Sequence, residues 1–332
     1  MRYLVTGGAG FIGSHLVEAL LDEGHEVLVL DDFSTGRQEN LAHREESDRL
    51  EVISASVTDA DLVRDCVPSV DGVFHLASAV GVRLIIDEPV KTLQTNVEGT
   101  AVVLAACARH EKPVLITSTS EVYGKSAKVP FSEDDDSLIG PPTFRRWGYA
   151  ASKLLDEFLA LAHWHQSRLP AVIVRLFNTV GPRQTGAYGM VVPRFVRQAL
   201  LGEPLTVYGD GRQSRCFCHV DDVVWALLRL FRTPESRGGI FNIGSDREVT
   251  IDELAEMIRS ATGSRSEIRH VPYAEAFGSD AFEDMIRRVP DLAKIGRLIG
   301  YEPKRSLEAT LGDVIRYVGA RIKAEEEAGV IR

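Results

Sequence analysis

The chain has 332 residues, beyond the roughly 250–300 that one hydrophobic core serves, so two cores or one core with a lobe are expected. Its 44% hydrophobic and 26% charged residues suit a globular enzyme and exclude a disordered or fibrous chain. The net charge of −10 argues against nucleic acid or an anionic membrane surface as the main partner, so an anionic substrate would need a local basic pocket.

The opening stretch sets the frame. Tyr3-Leu4-Val5-Thr6 is an apolar strand that runs into glycines at 7, 10 and 13, and a helix from about Gly10 to Glu23 follows. Gly7, Gly10 and Gly13 let backbone N–H groups of the Phe11-Ile12 turn approach a pyrophosphate, which the helix start favours. Val27 to Leu30 is a second buried strand ending at Asp31-Asp32, where a carboxylate accepts the ribose hydroxyls of NAD and repels the phosphate of NADP. Strand, glycine turn, helix, strand and acid together specify NAD as the cofactor.

Phe33-Ser34-Thr35-Gly36 is polar and turn-like, placing Ser34 over the adenosine. Leu50 to Ile53 is a third strand. Asp59 reads equally as the cap of the next helix and as an adenine contact. The fourth strand, Val70 to Leu76, delivers Leu76, Ala77 and Ser78, residues that let a cofactor pass close to the backbone. His75 reads as a structural histidine. A helix from about Glu88 to His110 carries Asn96, and Pro113 to Ile116 is the fifth strand. It delivers Thr117-Ser118-Thr119-Ser120-Glu121-Val122-Tyr123-Gly124 at its C-terminal end, the edge where open parallel sheets bind ligands.

Ser132-Glu133-Asp134-Asp135-Asp136 reads as a solvated loop. A helix from Gly148 to Gln166 places Tyr149 and Lys153 one turn apart on one face, with Leu154, Phe158 and Leu161 as its apolar side. Beside a nicotinamide, Tyr149 can take the proton of a secondary alcohol, Lys153 can favour its phenolate, and Thr119 or Ser120 can hold the substrate oxygen. Ala171 to Leu176 is the sixth strand, which gives an α/β, Rossmann-type doubly wound sheet. Beyond Phe177, arginines concentrate at 183, 194, 197, 212 and 215, the expected basic pocket. Ile240 to Ile243 returns to the sheet, Thr250 to Glu253 is a capping box, and Ser306 to about Ala324 is a last amphipathic helix. The expected units are an NAD-binding domain of 1–177 plus about 216–243, and a substrate domain of about 178–215 plus 244–332. Cys66, Cys107, Cys216 and Cys218 form no C-x-x-C pair and no metal site is expected. The chain opens directly on a strand, without a leader or a membrane-length apolar run, so the expected setting is the cytoplasm.

Thr6 to Gly13, Ser118 to Gly124, Tyr149-x-x-x-Lys153 and Phe177-Asn178-Thr179-Val180-Gly181-Pro182-Arg183 resemble the extended short-chain dehydrogenase/reductase family of nucleotide-sugar epimerases, dehydratases and decarboxylases. The resemblance implies a tightly held NAD that is reduced and reoxidised within one turnover, a 4-keto sugar intermediate, and a homodimer built through helices near 88–110 and 148–166. It makes Tyr149 the base, with Lys153 on the nicotinamide ribose and Thr119 on the C4 hydroxyl. Asn178, Arg215 and Arg288 fall to the nucleotide diphosphate.

Simple C4 epimerases usually lack an acid such as Glu121. The 4,6-dehydratases commonly show Thr-Asp-Glu, where this chain has Ser120 in the middle. UDP-glucuronate decarboxylases show the Ser-Thr-Ser-Glu-Val-Tyr-Gly string found here, and their relative in lipid A modification resembles Arg146-Trp147-x-Tyr149 and Arg288-x-Pro290. Arg183 and Arg83 are candidates to seat a substrate carboxylate, although Gly81-Val82-Arg83 is more similar to glucuronate 4-epimerases. The favoured expectation is a UDP-glucuronate decarboxylase-like enzyme, ahead of a UDP-sugar C4 epimerase and a 4,6-dehydratase. A non-catalytic NAD-binding regulator would be expected to have a broken Tyr/Lys pair, and this pair is intact.

Overall fold

The computed structural model describes residues 1–80, 87–186, 190–277 and 285–330. Seven parallel strands form its central sheet: β1 (Arg2–Thr6), β2 (Glu26–Asp31), β3 (Leu50–Ser54), β4 (Gly72–His75), β5 (Val114–Thr119), β6 (Ala171–Leu176) and, after four short strands, β11 (Ile240–Ile243). Their spatial order is β11-β6-β5-β4-β1-β2-β3. The chain therefore leaves β1 in one direction through β2 and β3, and resumes on the other side at β4. That reversal opens a crevice between the carboxyl ends of β1 and β4, where α/β sheets hold their ligands.

Helices cover both faces because alternate strand residues point to opposite sides. Tyr3 and Val5 join one core with α1 (Phe11–Asp22) and α6 (Val220–Arg232). Leu4, Val73, Ile116 and Ile173 join the other, over α2 (Ala60–Cys66), α3 (Pro89–Arg109) and α4 (Arg146–Ser167). Pro89 lies in the first turn of α3, where its missing N–H costs nothing.

A third core forms the lobe that faces the sheet's C-terminal edge. Around it pack α5 (Val191–Leu201), α7 (Ile251–Thr262) and α10 (Leu307–Glu327). Thr250 caps α7 in a reciprocal capping box with Glu253. Four short strands pair within this region: β7 (Thr179–Val180) with β10 (Cys218–His219), and β9 (Ser214–Cys216) with β12 (Glu248–Thr250). Strands β8 (Leu205–Tyr208) and β13 (Ile268–Val271) pair in parallel, and α8 (Tyr273–Phe277) and α9 (Ala293–Ile299) complete the elements of the described residues. The segment around α9, expected in the substrate domain within 244–332, packs elsewhere. Ile295 and Tyr301 pack into the α1–α6 core beneath the sheet, so this part of 244–332 belongs with the dinucleotide-binding unit.

Candidate active site

One cleft of ≈ 580 Å³ runs along the sheet's C-terminal edge, between sheet and lobe. Its first wall is the glycine turn. Gly7 adopts φ +71°, and a Cβ there would lie 2.7 Å from the backbone nitrogen of Ala77. A Cβ on Gly13 would meet the carbonyl oxygen of Gly7 at 2.1 Å, which holds α1 tight against the strand end. The helix start has no side-chain cap and no acid in its first turn, so its N–H groups and positive dipole end are left for an anionic group. The residues fit a dinucleotide. Gly7, Gly10, Phe11, Ile12 and Gly13 line this end of the cleft, as do Asp31, Asp32 and Ser34, and Leu76, Ala77 and Ser78 line its floor.

Asp31 does two things at once. Its carboxylate accepts hydrogen bonds from the backbone of Ala9 (2.9 Å) and Phe33 (2.8 Å), bracing the glycine turn against the end of β2. Asp32 is exposed and accepts from the backbone and hydroxyl of Ser34.

The chemical end is built from three elements. Strand β5 ends at Thr119, whose side chain accepts from the backbone N–H of Glu121 and opens a tight 3₁₀ turn over Ser120–Tyr123. Helix α4 brings Tyr149 to the Thr119 hydroxyl, and the last described segment brings in Arg288. Burial raises the Tyr149 phenol well above its ordinary value. The Glu121 carboxylate adds to that, while Thr119 and Arg288 oppose it. Burial would also raise Glu121, but Arg146 and Arg288 outweigh it and hold its carboxyl at about 2. Arg146 Nη2 meets Oε2 at 2.7 Å, and Arg288 Nη2 meets Oε1 at 2.6 Å. Glu121 is therefore a permanent anion held from both sides, and not a store of protons.

The helix carrying the pair begins at Arg146, two residues before the expected Gly148. That early start places Arg146, Tyr149 and Lys153 at successive turns of one buried face. Lys153 donates to Asp156 Oδ2 at 2.9 Å, and both side chains are buried. The lysine ammonium is turned toward Asp156, and the phenol's upward shift comes first from burial and then from Glu121.

Thr119, Ser120, Glu121, Tyr149 and Lys153 all line the cleft, as do Asn178, Arg183, Arg215 and Arg288. Several roles shift from those expected. Asp59 caps α2 by accepting from Leu62 N at 3.1 Å and does not line the cleft. Asn96 is buried behind the wall. Its Oδ1 accepts from Ala79 N (2.8 Å) and Ser78 Oγ (2.9 Å), so it shapes the loop after β4 instead of facing the cofactor. Arg183 Nη2 pairs with Glu18 of α1 at 2.8 Å while Arg183 lines the cleft. Arg288, expected on a phosphate, reaches the reacting end of the site through Glu121. Arg215 donates to Ser214 O at 2.7 Å, and Asn178 Nδ2 donates to Cys216 O at 3.0 Å, both at the lobe. Arg83 lies outside the described residues.

Sequence reasoning missed Arg146 as a site residue and gave no role to Asp156. Arg146 stood in the Arg146-Trp147-x-Tyr149 string, three before Tyr149, and the only local signal for Asp156 was its place three after Lys153 on the catalytic face of the helix. Among the described residues no group of His, Cys, Asp and Glu is arranged to hold a metal ion.

Residues 3–244 match the family model described as the NAD dependent epimerase/dehydratase family. The chain is 42% identical over 317 residues to the UDP-N-acetyl-alpha-D-glucosaminuronate decarboxylase of Bacillus cytotoxicus, covering 95% of this chain and 97% of that one. It is 38% identical to UDP-glucuronic acid decarboxylase 1 of Danio rerio, covering 97% and 73%. A crystal structure of UDP-glucuronic acid 4-epimerase from Bacillus cereus, in complex with UDP-glucuronic acid and NAD, superposes with a TM-score of 0.87 at 29% identity, covering 97% of this chain and 100% of that one.

Proposed function

The chain belongs to the NAD dependent epimerase/dehydratase family, and from that premise we propose that it removes CO₂ from a UDP-linked uronic acid through a ketone at sugar C4. The observation that carries this reading is the convergence of Arg146 and Arg288 on Glu121, beside Thr119 and Tyr149. Two guanidinium groups shared by one carboxylate leave the reacting end rich in cationic donors, and Arg288 is the one suited to turn to a substrate carboxylate. Held along the glycine turn with Lys153 at its ribose, NAD would supply reversible acceptance of a hydride from the sugar.

Every other step falls to the protein. Thr119 holds the C4 oxygen, and Tyr149 accepts its proton as the ketone forms. A carboxylate β to a ketone leaves as CO₂, and its bonding electrons pass to C5 and the C4 oxygen. Thr119 and the now-protonated Tyr149 hydrogen-bond to that oxygen, a proton from solvent adds at C5, and Tyr149 gives its proton back to the C4 oxygen as the ketone is reduced. Glu121 stays ionised throughout, so it orients the arginines and does not supply that proton.

The test is incubation with UDP-glucuronate and, separately, UDP-N-acetylglucosaminuronate, followed by mass spectrometry. Loss of the mass of one CO₂ from either supports the reading, and a product run in D₂O carries one deuterium at C5. The likeness to the 4-epimerase favours a second reading, C4 epimerisation with the carboxylate retained. An unchanged mass with a new epimer selects it.

We also propose a homodimer. Val90 (68% exposed) and Leu93 (41%) on α3 stand out in the open, as do Leu155 (45%) and Phe158 (63%) on α4. Two such helix pairs would bury one another in a four-helix interface. No helix among the described residues is long and apolar enough to cross a membrane. The four cysteines are free and buried, which supports a reducing, cytoplasmic setting.

A further inference from the structure

Asp156 has no part in the chemistry assigned so far, yet it is fully buried directly beneath the reacting groups. It lies on the same face of α4 as Tyr149 and Lys153, seven and three residues on, and its Oδ2 accepts from Lys153 Nζ at 2.9 Å. Lys153 is the cation that faces it, and Glu157 on the same helix opposes its charge. Across the interface with α3, the Thr100 hydroxyl stands beside the carboxylate. Thr100 Oγ1 in turn bonds His75 Nε2 at 3.0 Å, and His75 Nδ1 bonds Thr6 Oγ1 at 2.8 Å. Thr6 ends β1, one residue before the glycine turn, and its hydroxyl also accepts from Ala77 N at 3.3 Å on the cleft floor. Contacts from Thr100 through His75 to Thr6 thus join α3, beside the carboxylate, to both strand ends that frame the dinucleotide crevice.

A carboxylate placed in a dry interior is costly unless something holds it there, and here the buried Lys153 ammonium does. Lys153 carries three donors. With one fixed on Asp156, the other two are aimed along a defined direction into the cleft. We propose that Asp156 is a positioning residue for the cofactor: it anchors the Lys153 ammonium from behind, so that the remaining donors meet the dinucleotide's ribose. The inference rests on the NAD reading of this cleft.

Asp156 also lends its negative charge to the phenol. The groups facing Tyr149 are Glu121 and Asp156, which oppose its ionisation, and Thr119 and Arg288, which favour it. Removing the Asp156 charge therefore eases ionisation of Tyr149, whatever happens to Lys153's aim.

The experiment is a double-mutant cycle read by calorimetric NAD binding to the full-length protein stripped of nucleotide, using wild type, D156N, K153M and the double variant. D156S replaces D156N if the amide does not fold. NAD binding by wild type tests the cofactor reading itself, and the differences between variants test Asp156. D156N should weaken NAD about tenfold, as expected for a lost charge-assisted bond, and should add no further loss in the K153M background. The acid limb of the D156N turnover profile should move to lower pH. An equal loss in both backgrounds, no loss at all, or an acid limb that stays in place overturns the proposal.

Discussion

The phenol of Tyr149 and the carboxylate of Glu121 lie in the same dry pocket and are pushed in opposite directions. Burial pushes the first above its ordinary value, while two arginines keep the second ionised. Two substitutions separate their roles. Tyr149→Phe removes the base and leaves the glycine turn intact. It should retain NAD, measured as nucleotide released on denaturation, while turnover falls by about 10³-fold or more. Arg288→Met leaves Arg146 alone on Glu121 and removes the donor suited to the substrate carboxylate. Decarboxylation should drop by about 10²-fold with NAD retention unchanged, since truncating one side of a buried charged contact costs several kcal/mol. Loss of NAD in Arg288→Met would instead place that arginine at the cofactor.

Helix α4 shows at the scale of an element how one segment serves two surfaces. Tyr149, Lys153, Asp156 and Glu157 face inward, while Leu155 and Phe158 face out beside Val90 and Leu93 of α3. Phe158→Asp should leave the inward face and the fold unaltered and convert the proposed homodimer to a monomer, read by light scattering on a sizing column. A dimer that persists would put the interface elsewhere. The same helix marks how far the sequence could be read. The i, i+4 spacing of Tyr149 and Lys153 was legible because it is local, as were the glycine spacing after β1 and the acid after β2. Contacts made across the fold were not. Glu121 and Arg288 are 167 residues apart, and no local pattern reports their meeting. Glu133 sits within a run of acids that reads as solvated, yet it is buried and accepts from Asn242 N of β11 at 2.8 Å. Phe158 reads as part of the core stripe because helical period gives a face but not what covers it.

Across the whole molecule, the dinucleotide crevice is held open by a buried polar seam, and that seam makes stability depend on pH. His75 joins Thr6 of β1 to Thr100 of α3 at the point where the strand order reverses. Burial, with the Lys153 ammonium nearby, lowers the imidazole from its ordinary 6.5 to about 3. The folded protein thus keeps His75 neutral at acidities where the unfolded chain binds a proton. The stability from this group is fully present above pH 6.5 and is lost progressively as pH falls from 6.5 toward 3. Between pH 6 and pH 4 the loss amounts to about 2–3 kcal/mol, from 1.36 kcal/mol per unit of separation between the two states. Glu121 behaves in the same sense but lower on the scale. Its contribution is present above its ordinary 4.5 and fades only toward about 2. Urea unfolding at pH 6 and pH 4 separates the two groups. His75→Gln, which cannot take up a proton, should lower stability at pH 6 and lose about 2 kcal/mol less than wild type on going to pH 4. An equal acid loss in both proteins would mean that the imidazole titrates alike in the folded and unfolded chains, and that the seam between β1 and β4 is open to water.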